Sequence, residues 1–221
     1  MIDAHAHPPL NFEPKHTMFV SCCIASDWKL WLKRQCSRIQ VGIGIHPWYV
    51  EKETLSIPKM RQYLLDNPKT FVGEIGLDRS KRYKATYAKQ KEFFSMQLRL
   101  AKELQRPVCV HLVRSYADGY TLLKKYDIPS IYLHGFLGSI EEARRYPHAF
   151  FGFNPRNVSH PKGRRILNEL HRTQILLESD GDSNREALQH TLQQIANVRG
   201  TNIYDMEQII NENARRWIEQ S

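Results

Sequence analysis

Seven side chains able to hold a metal ion or move a proton recur along the sequence. His5 and His7 stand two apart in MIDAHAHPPL, and His46 closes IQVGIGIH. Glu74 sits inside TFVGEIG, His111 inside PVCVHL, His134 inside IYLHG, and Asp180 ends ILLESD. Neutral imidazoles with carboxylates suit Zn²⁺, Mn²⁺ or Fe, and a carboxylate-rich half suits Mg²⁺ or Mn²⁺. A lone histidine on an apolar strand is more often a hydrogen-bonded core residue than a ligand. Glu74 and Asp180 resist that bland reading. A carboxylate in a buried strand is costly unless it is paired or binds a metal, and no basic residue precedes Glu74 in its run. Four histidine ligands and two carboxylates are enough for two ions, with Glu74 as the bridge.

The elements that must position these groups are eight short apolar or β-branched runs: 1–6, 17–23, 39–46, 70–76, 107–112, 131–135, 149–154 and 175–180. Helical patterns fill most gaps. Asp27 precedes WKLWLKRQC, and Pro58 suits a first turn. Residues 86–105 place Phe94, Leu98 and Ala101 on one face. Ser139 and Glu142 spell a capping box, and Ser183 or Asn184 can start a helix that Gly200 stops. A last amphipathic helix spans about 204–219. Strand then helix, repeated eight times, predicts an α/β fold: a (β/α)8 TIM barrel formed by residues 1–221 as one domain. It is irregular between the first two strands, where 8–16 shows no helix. An open doubly wound sheet is the alternative.

Residues two apart share a strand face, so Asp3, His5 and His7 point together. Barrel enzymes carry their active sites at the C-terminal strand ends, and all seven groups fall late in their strands, so they are expected at one mouth. Gly42 and Gly44 share the face of His46 and are expected to leave room inside. Cys109 is expected below the site as a small core residue. Asp3 and Glu178 lie one step beneath the ligands, where carboxylates orient imidazoles and metals.

The formal net charge is +9, with a sequence pI of about 9.4. Such an excess favours a polyanionic partner, although runs such as RSKRYK, RRYPH and PKGRR are commonly solvated faces. Cys22, Cys23, Cys36 and Cys109 form no CxxC and no disulfide scaffold, so the expected compartment is cytoplasmic. No leader pattern or membrane-length apolar run is evident.

The pieces IDAHAH, GIHPW, GEIGLD, PVCVHLVRS, HGFLGS, LLESD and ENARRW run from residue 2 to residue 217. In that order they resemble the TatD family of metal-dependent nucleases, among the amidohydrolase-type barrels. GIHPWY and HGF resemble a compact subgroup of it. The resemblance implies a phosphodiester hydrolase, a DNase that is exonuclease-like on single-stranded ends and uses a two-metal centre of Mg²⁺, Mn²⁺ or Zn²⁺. It implies that His5, His7 and Asp180 hold one ion and His111 and His134 the other. Glu74 bridges them, and Asp180 takes the proton of the attacking water. His46 and Arg114 lie by the substrate, with Arg79, Lys81 and Arg82 on phosphates. DNA is the implied partner, through non-specific backbone contacts; no membrane or obligate protein partner is expected. Trp48, Tyr49 and Tyr83 are candidates for stacking on unpaired bases. Where the family reads HSRDA and ETDSP, this chain has HLVRS and ESDGDSN. Two other readings are a hydrolase of a small ester, amide or phosphate ester on the same barrel, and a barrel that binds a partner with its metal site little used.

Overall fold

A computed structural model describes residues 1–181 and 183–219; Asp182, within ESDGDSN, lies outside the described residues. The strands are β1 (Ile2–Ala6), β2 (Thr17–Cys22), β3 (Ile39–Ile43), β4 (Phe71–Asp78), β5 (Val108–Val113), β6 (Ile131–Leu133), β7 (Phe150–Phe153) and β8 (Ile175–Leu177). Each pairs in parallel with the next, in sequence order. Backbone bonds from His7 N–H to the Gly181 carbonyl (2.7 Å) and from Asp180 N–H to the His5 carbonyl (3.0 Å) join the first strand to the segment after the last. The architecture is the expected TIM barrel.

The helices are α1 (Ala25–Leu32), α2 (Ile57–Asp66), α3 (Tyr87–Glu103), α4 (Tyr116–Tyr126), α5 (Ile140–Arg144), α6 (Pro155–Ser159), α7 (Pro161–Glu169), α8 (Arg185–Val198) and α9 (Ile203–Glu219). Residues 8–16 hold no helix, as expected. The Ser139–Glu142 capping box forms with both of its bonds, at 2.6 and 3.1 Å. Asn184 caps α8, and Gly200 adopts φ +61° just past its end. α1 begins two residues before Asp27, which sits in its first turn. α4, α6 and α7 fill stretches without an expected helix, although Asn154 before Pro155 is a cap signal and accepts from Asn157 N–H. None of the described helices is long and apolar enough to cross a membrane.

Two apolar layers stabilise the barrel. The outer one lies between strands and helices and includes Val41, Ile43, Leu98 and Ala101. The inner one closes the N-terminal floor with Phe19, Phe71, Tyr132, Phe150 and Trp217 of α9. The Trp217 ring meets those of Phe71 at 5.1 Å and Tyr132 at 5.0 Å. Full burial of one such ring is worth about 3 kcal/mol. The expected room at Gly42 and Gly44 does not exist. The Phe71 ring occupies the place of a Gly42 side chain, and Gly44 lets the β4 backbone at Gly73–Glu74 approach closely.

Five strands stop short of their predicted ends, β2 and β7 by one residue and β3, β6 and β8 by two or three. β3 ends at Ile43, and His46 instead caps a 3₁₀ turn at Pro47–Tyr49, which begins with a proline that has no N–H for the ladder. β6 and β8 likewise end before His134 and Asp180, which lie in the turns that follow. These departures let side chains from the strand ends turn over the mouth.

Candidate metal centre

Glu74 lies at the middle of the mouth and is buried. Its two oxygens face different histidines. Oε2 is 3.3 Å from His5 Nε2 and 3.3 Å from His7 Nε2. Oε1 is 2.7 Å from His134 Nε2, 3.0 Å from His111 Nδ1 and 3.1 Å from His46 Nε2. Asp180 Oδ1 stands 3.8 Å from His5 Nε2. All seven predicted groups therefore meet in one place.

Two pairs of ring nitrogens point at each other: His5 Nε2 and His7 Nε2 at 2.9 Å, and His111 Nδ1 and His134 Nε2 at 3.0 Å. Two lone pairs cannot face each other at such distances, so each pair carries a proton on one nitrogen or has a metal ion beside it. Burial opposes charge on Glu74, yet His134, His46 and His5 hold its carboxyl well below the usual range. Burial also opposes charge on His134, but Glu74 lifts it to about 10. The cluster thus favours positive charge beside Glu74, which a protonated imidazole or a divalent ion supplies. Its imidazole and carboxylate donors fit a divalent metal.

The outer ring atoms decide which histidines can ligate. His7 Nδ1 faces the Ser21 carbonyl at 3.1 Å. A carbonyl only accepts, so Nδ1 carries the proton and Nε2 offers its lone pair inward. His111 Nε2 faces Asp78 Oδ2 at 3.4 Å, which leaves Nδ1 free in the same way. His46 is the reverse. Its Nδ1 accepts from Trp48 N–H at 3.1 Å, so the neutral ring carries its proton on Nε2, toward Glu74 Oε1. Burial holds the ring neutral by lowering its pKa to about 4. His46 is therefore a hydrogen-bond donor to the centre and has no lone pair to give it.

A family model described as TatD related DNase matches residues 2–219. The chain belongs to that family. A Haemophilus influenzae uncharacterized metal-dependent hydrolase is 34% identical over 112 residues, 48% of this chain and 43% of its own length. Escherichia coli YjjV, likewise described as an uncharacterized metal-dependent hydrolase, is 30% identical over 150 residues, 64% of this chain and 58% of its own. The chain thus spans about half the length of these first curated relatives. A Cronobacter sakazakii protein described as a 3'-5' ssDNA/RNA exonuclease TatD is 29% identical over 200 residues, 78% of this chain and 74% of its own. The crystal structure of the E. coli YjjV TatD homologue superposes with a TM-score of 0.84 at 24% identity, covering 96% and 95% of the two chains.

Around this TatD centre a cleft of about 790 Å³ adjoins a lobe of about 550 Å³, a size typical of ligand sites. Arg114, at φ +53° just past β5, lines the lobe. Arg82 lines the cleft, whereas Arg79 and Lys81 do not. The Arg79 guanidinium lies 5.4 Å over the Tyr87 ring, which turns it toward α3. Trp48, Tyr49 and Tyr83 line the cleft, but the Trp48 and Tyr83 rings stack on each other at 4.9 Å. The Trp48 indole N–H donates to Asp78 Oδ2 at 2.6 Å.

Cys109 is buried under His5, with Sγ 3.2 Å from Nδ1, as expected. Asp3 and Glu178 touch loops more than rings. Asp3 accepts from Ser183 Oγ (2.6 Å) and Ser179 N–H (2.9 Å), which fixes the segment carrying Asp180. Glu178 accepts from Tyr132 Oη, Gly135 N–H and Asn154 Nδ2. Three residues escaped sequence reasoning. Asp78, the last residue of GEIGLD, holds His111. Arg156, directly after β7, lines both cleft and lobe. Cys23, the first residue after β2, lines the cleft. Position at a C-terminal strand end was the available signal for all three.

Proposed function

We propose that this barrel is a metal-dependent nuclease that hydrolyses phosphodiester bonds of single-stranded DNA from an end. The observation that carries this reading is Glu74, one oxygen of which faces two histidine nitrogens and the other three, beneath a cleft and lobe lined by Arg82, Arg114 and Arg156. His5, His7 and Asp180 would hold one ion and His111 and His134 another, with Glu74 between. Mg²⁺, Mn²⁺ or Zn²⁺ bound there would supply Lewis acidity and an activated water.

This chain's residues do the rest. Asp180, with its side chain 30% exposed at the cleft edge, accepts the proton of the attacking water. The fixed Nε2–H of His46, at the cleft wall, donates to Glu74 Oε1 and holds that carboxylate in place. Asp78 holds His111 through Nε2, and its carboxyl is kept acidic despite burial by bonds from His111, Ser80 and Trp48. The three guanidiniums attract the sugar–phosphate backbone without reading sequence. The Cronobacter relative's description as an exonuclease acting on single strands supports the substrate class.

The test is cleavage of an end-labelled single-stranded oligonucleotide with Mg²⁺ or Mn²⁺, against EDTA and Glu74→Gln. Metal-dependent shortening from one end is expected. Metal-loaded protein that leaves DNA and RNA intact would overturn the nuclease reading in favour of a small-molecule hydrolase.

A further inference from the structure

Cys23 is the thiol that the strand alternation turns into the mouth. Ser21 Oγ lies 3.1 Å from His5 Nδ1, so position 21 faces inward. Cys22 therefore faces outward and is buried in the outer core. Cys23 returns inward, lines the cleft and is half-buried. Its Sγ stands 3.7 Å from Glu74 Oε2, 3.9 Å from His7 Nδ1 and 3.9 Å from the Ser21 carbonyl. With His7 and Glu74 it forms a group of three donors close enough to share an ion.

The separation is informative. A Zn–S bond of about 2.3 Å and a Zn–O bond of about 2.1 Å at the tetrahedral angle place sulfur and oxygen about 3.6 Å apart. The Cys23–Glu74 distance matches that spacing. Cys109 does not offer the same role, because it is fully buried beneath His5, does not line the cleft and, among the described residues, belongs to none of the donor groups close enough to share an ion. Cys36 is exposed, outside the barrel mouth.

We propose that Cys23 is a soft ligand on the His7 side of Glu74. It makes that half of the centre select a thiophilic ion, Zn²⁺ or Co²⁺, over Mg²⁺. Sulfur favours such ions, whereas carboxylate and water favour Mg²⁺. Coordination releases the thiol proton to solvent, so the ion replaces one positive charge with two beside Glu74. The inference rests on the metal-centre reading above and adds to it a preference that the histidines and carboxylates alone do not impose.

Metal-free protein titrated with Co²⁺ tests this without substrate. Wild type is expected to develop a near-ultraviolet sulfur-to-cobalt charge-transfer band that saturates with bound Co²⁺. Cys23→Ser, folded by circular dichroism, should bind Co²⁺ without the band. It should also lose at least about tenfold in Zn²⁺ affinity, while Mn²⁺ affinity stays within about threefold. Cys23→Ala should behave alike, because a hydroxyl does not replace the sulfur. Co²⁺ uptake by wild type without the band would overturn the cysteine assignment and leave the centre standing. Absence of Co²⁺, Zn²⁺ and Mn²⁺ uptake would overturn both.

Discussion

The two ends of the barrel are built from the same strands and have opposite characters. At the N-terminal floor, Phe19, Phe71, Tyr132 and Phe150 pack around Trp217. At the C-terminal mouth the same β4 that starts with Phe71 presents Glu74, and the same β5 that starts with Val108 presents His111. β1 passes from Ile2 in the floor to His5 in the mouth within one turn of the pleat. The floor contributes cohesion through apolar area. The mouth gathers buried imidazoles and carboxylates whose donor set fits a divalent metal. Stability and chemistry therefore lie at opposite ends of each strand, and substitutions at each end should separate them.

Glu74→Gln should have the largest effect on the mouth. It should lower cleavage roughly a thousandfold or more, beyond the ~10–100-fold typical of residues that merely orient ligands. Metal stoichiometry by elemental analysis should fall, while the thermal midpoint of metal-free protein changes little. If the midpoint collapsed with the activity, the two ends would not be independent. Trp217→Ala is the converse. It should cost about 3–5 kcal/mol in denaturant unfolding, with metal content and cleavage per folded molecule unchanged.

Subtler changes refine the division within the mouth. His46→Ala should reduce kcat roughly ten- to a hundredfold through loss of the donor that positions Glu74. Metal stoichiometry should remain that of wild type, which separates a donor from a ligand. A loss of bound metal in His46→Ala would contradict the tautomer argument. Arg156→Gln should have the smallest effect. KM for single-stranded DNA should rise a few-fold, and the slope of log affinity against log salt should shrink by about 0.7, one phosphate contact.

The sequence disclosed the ligand set because strand periodicity and the C-terminal position of each His or carboxylate are both local signals. What it concealed depends on how the backbone turns after each strand and on which neighbour that turn supplies. The proton on His46 is fixed by the Trp48 N–H, which the chain presents only after β3 breaks at Ile43. The space beside Gly42 is taken by Phe71, a residue of the neighbouring strand. Arg79 and Arg82 are equivalent as letters in RSKRYK, but a ring on α3 draws the first away and the turn leads the second to the cleft. The capping box of α5 was legible, whereas the helix it starts is only five residues long. A cap marks a beginning and carries no information about length.

The closing helix also bears on how the chain is made. Trp217 completes the floor against Phe19 and Phe71, Asn211 accepts the Ile2 N–H, and the Trp217 carbonyl accepts from Ser130. A ribosome delivers β1 before α9, so the earliest strand of the barrel waits for its partners until the last helix is made. Until then one end of the nascent sheet is open and its aromatic lining is bare, a state prone to association with other chains. The same long separations between contacting residues make refolding slow relative to proteins dominated by local contacts. In a cell, this barrel closes only after α9 clears the exit tunnel.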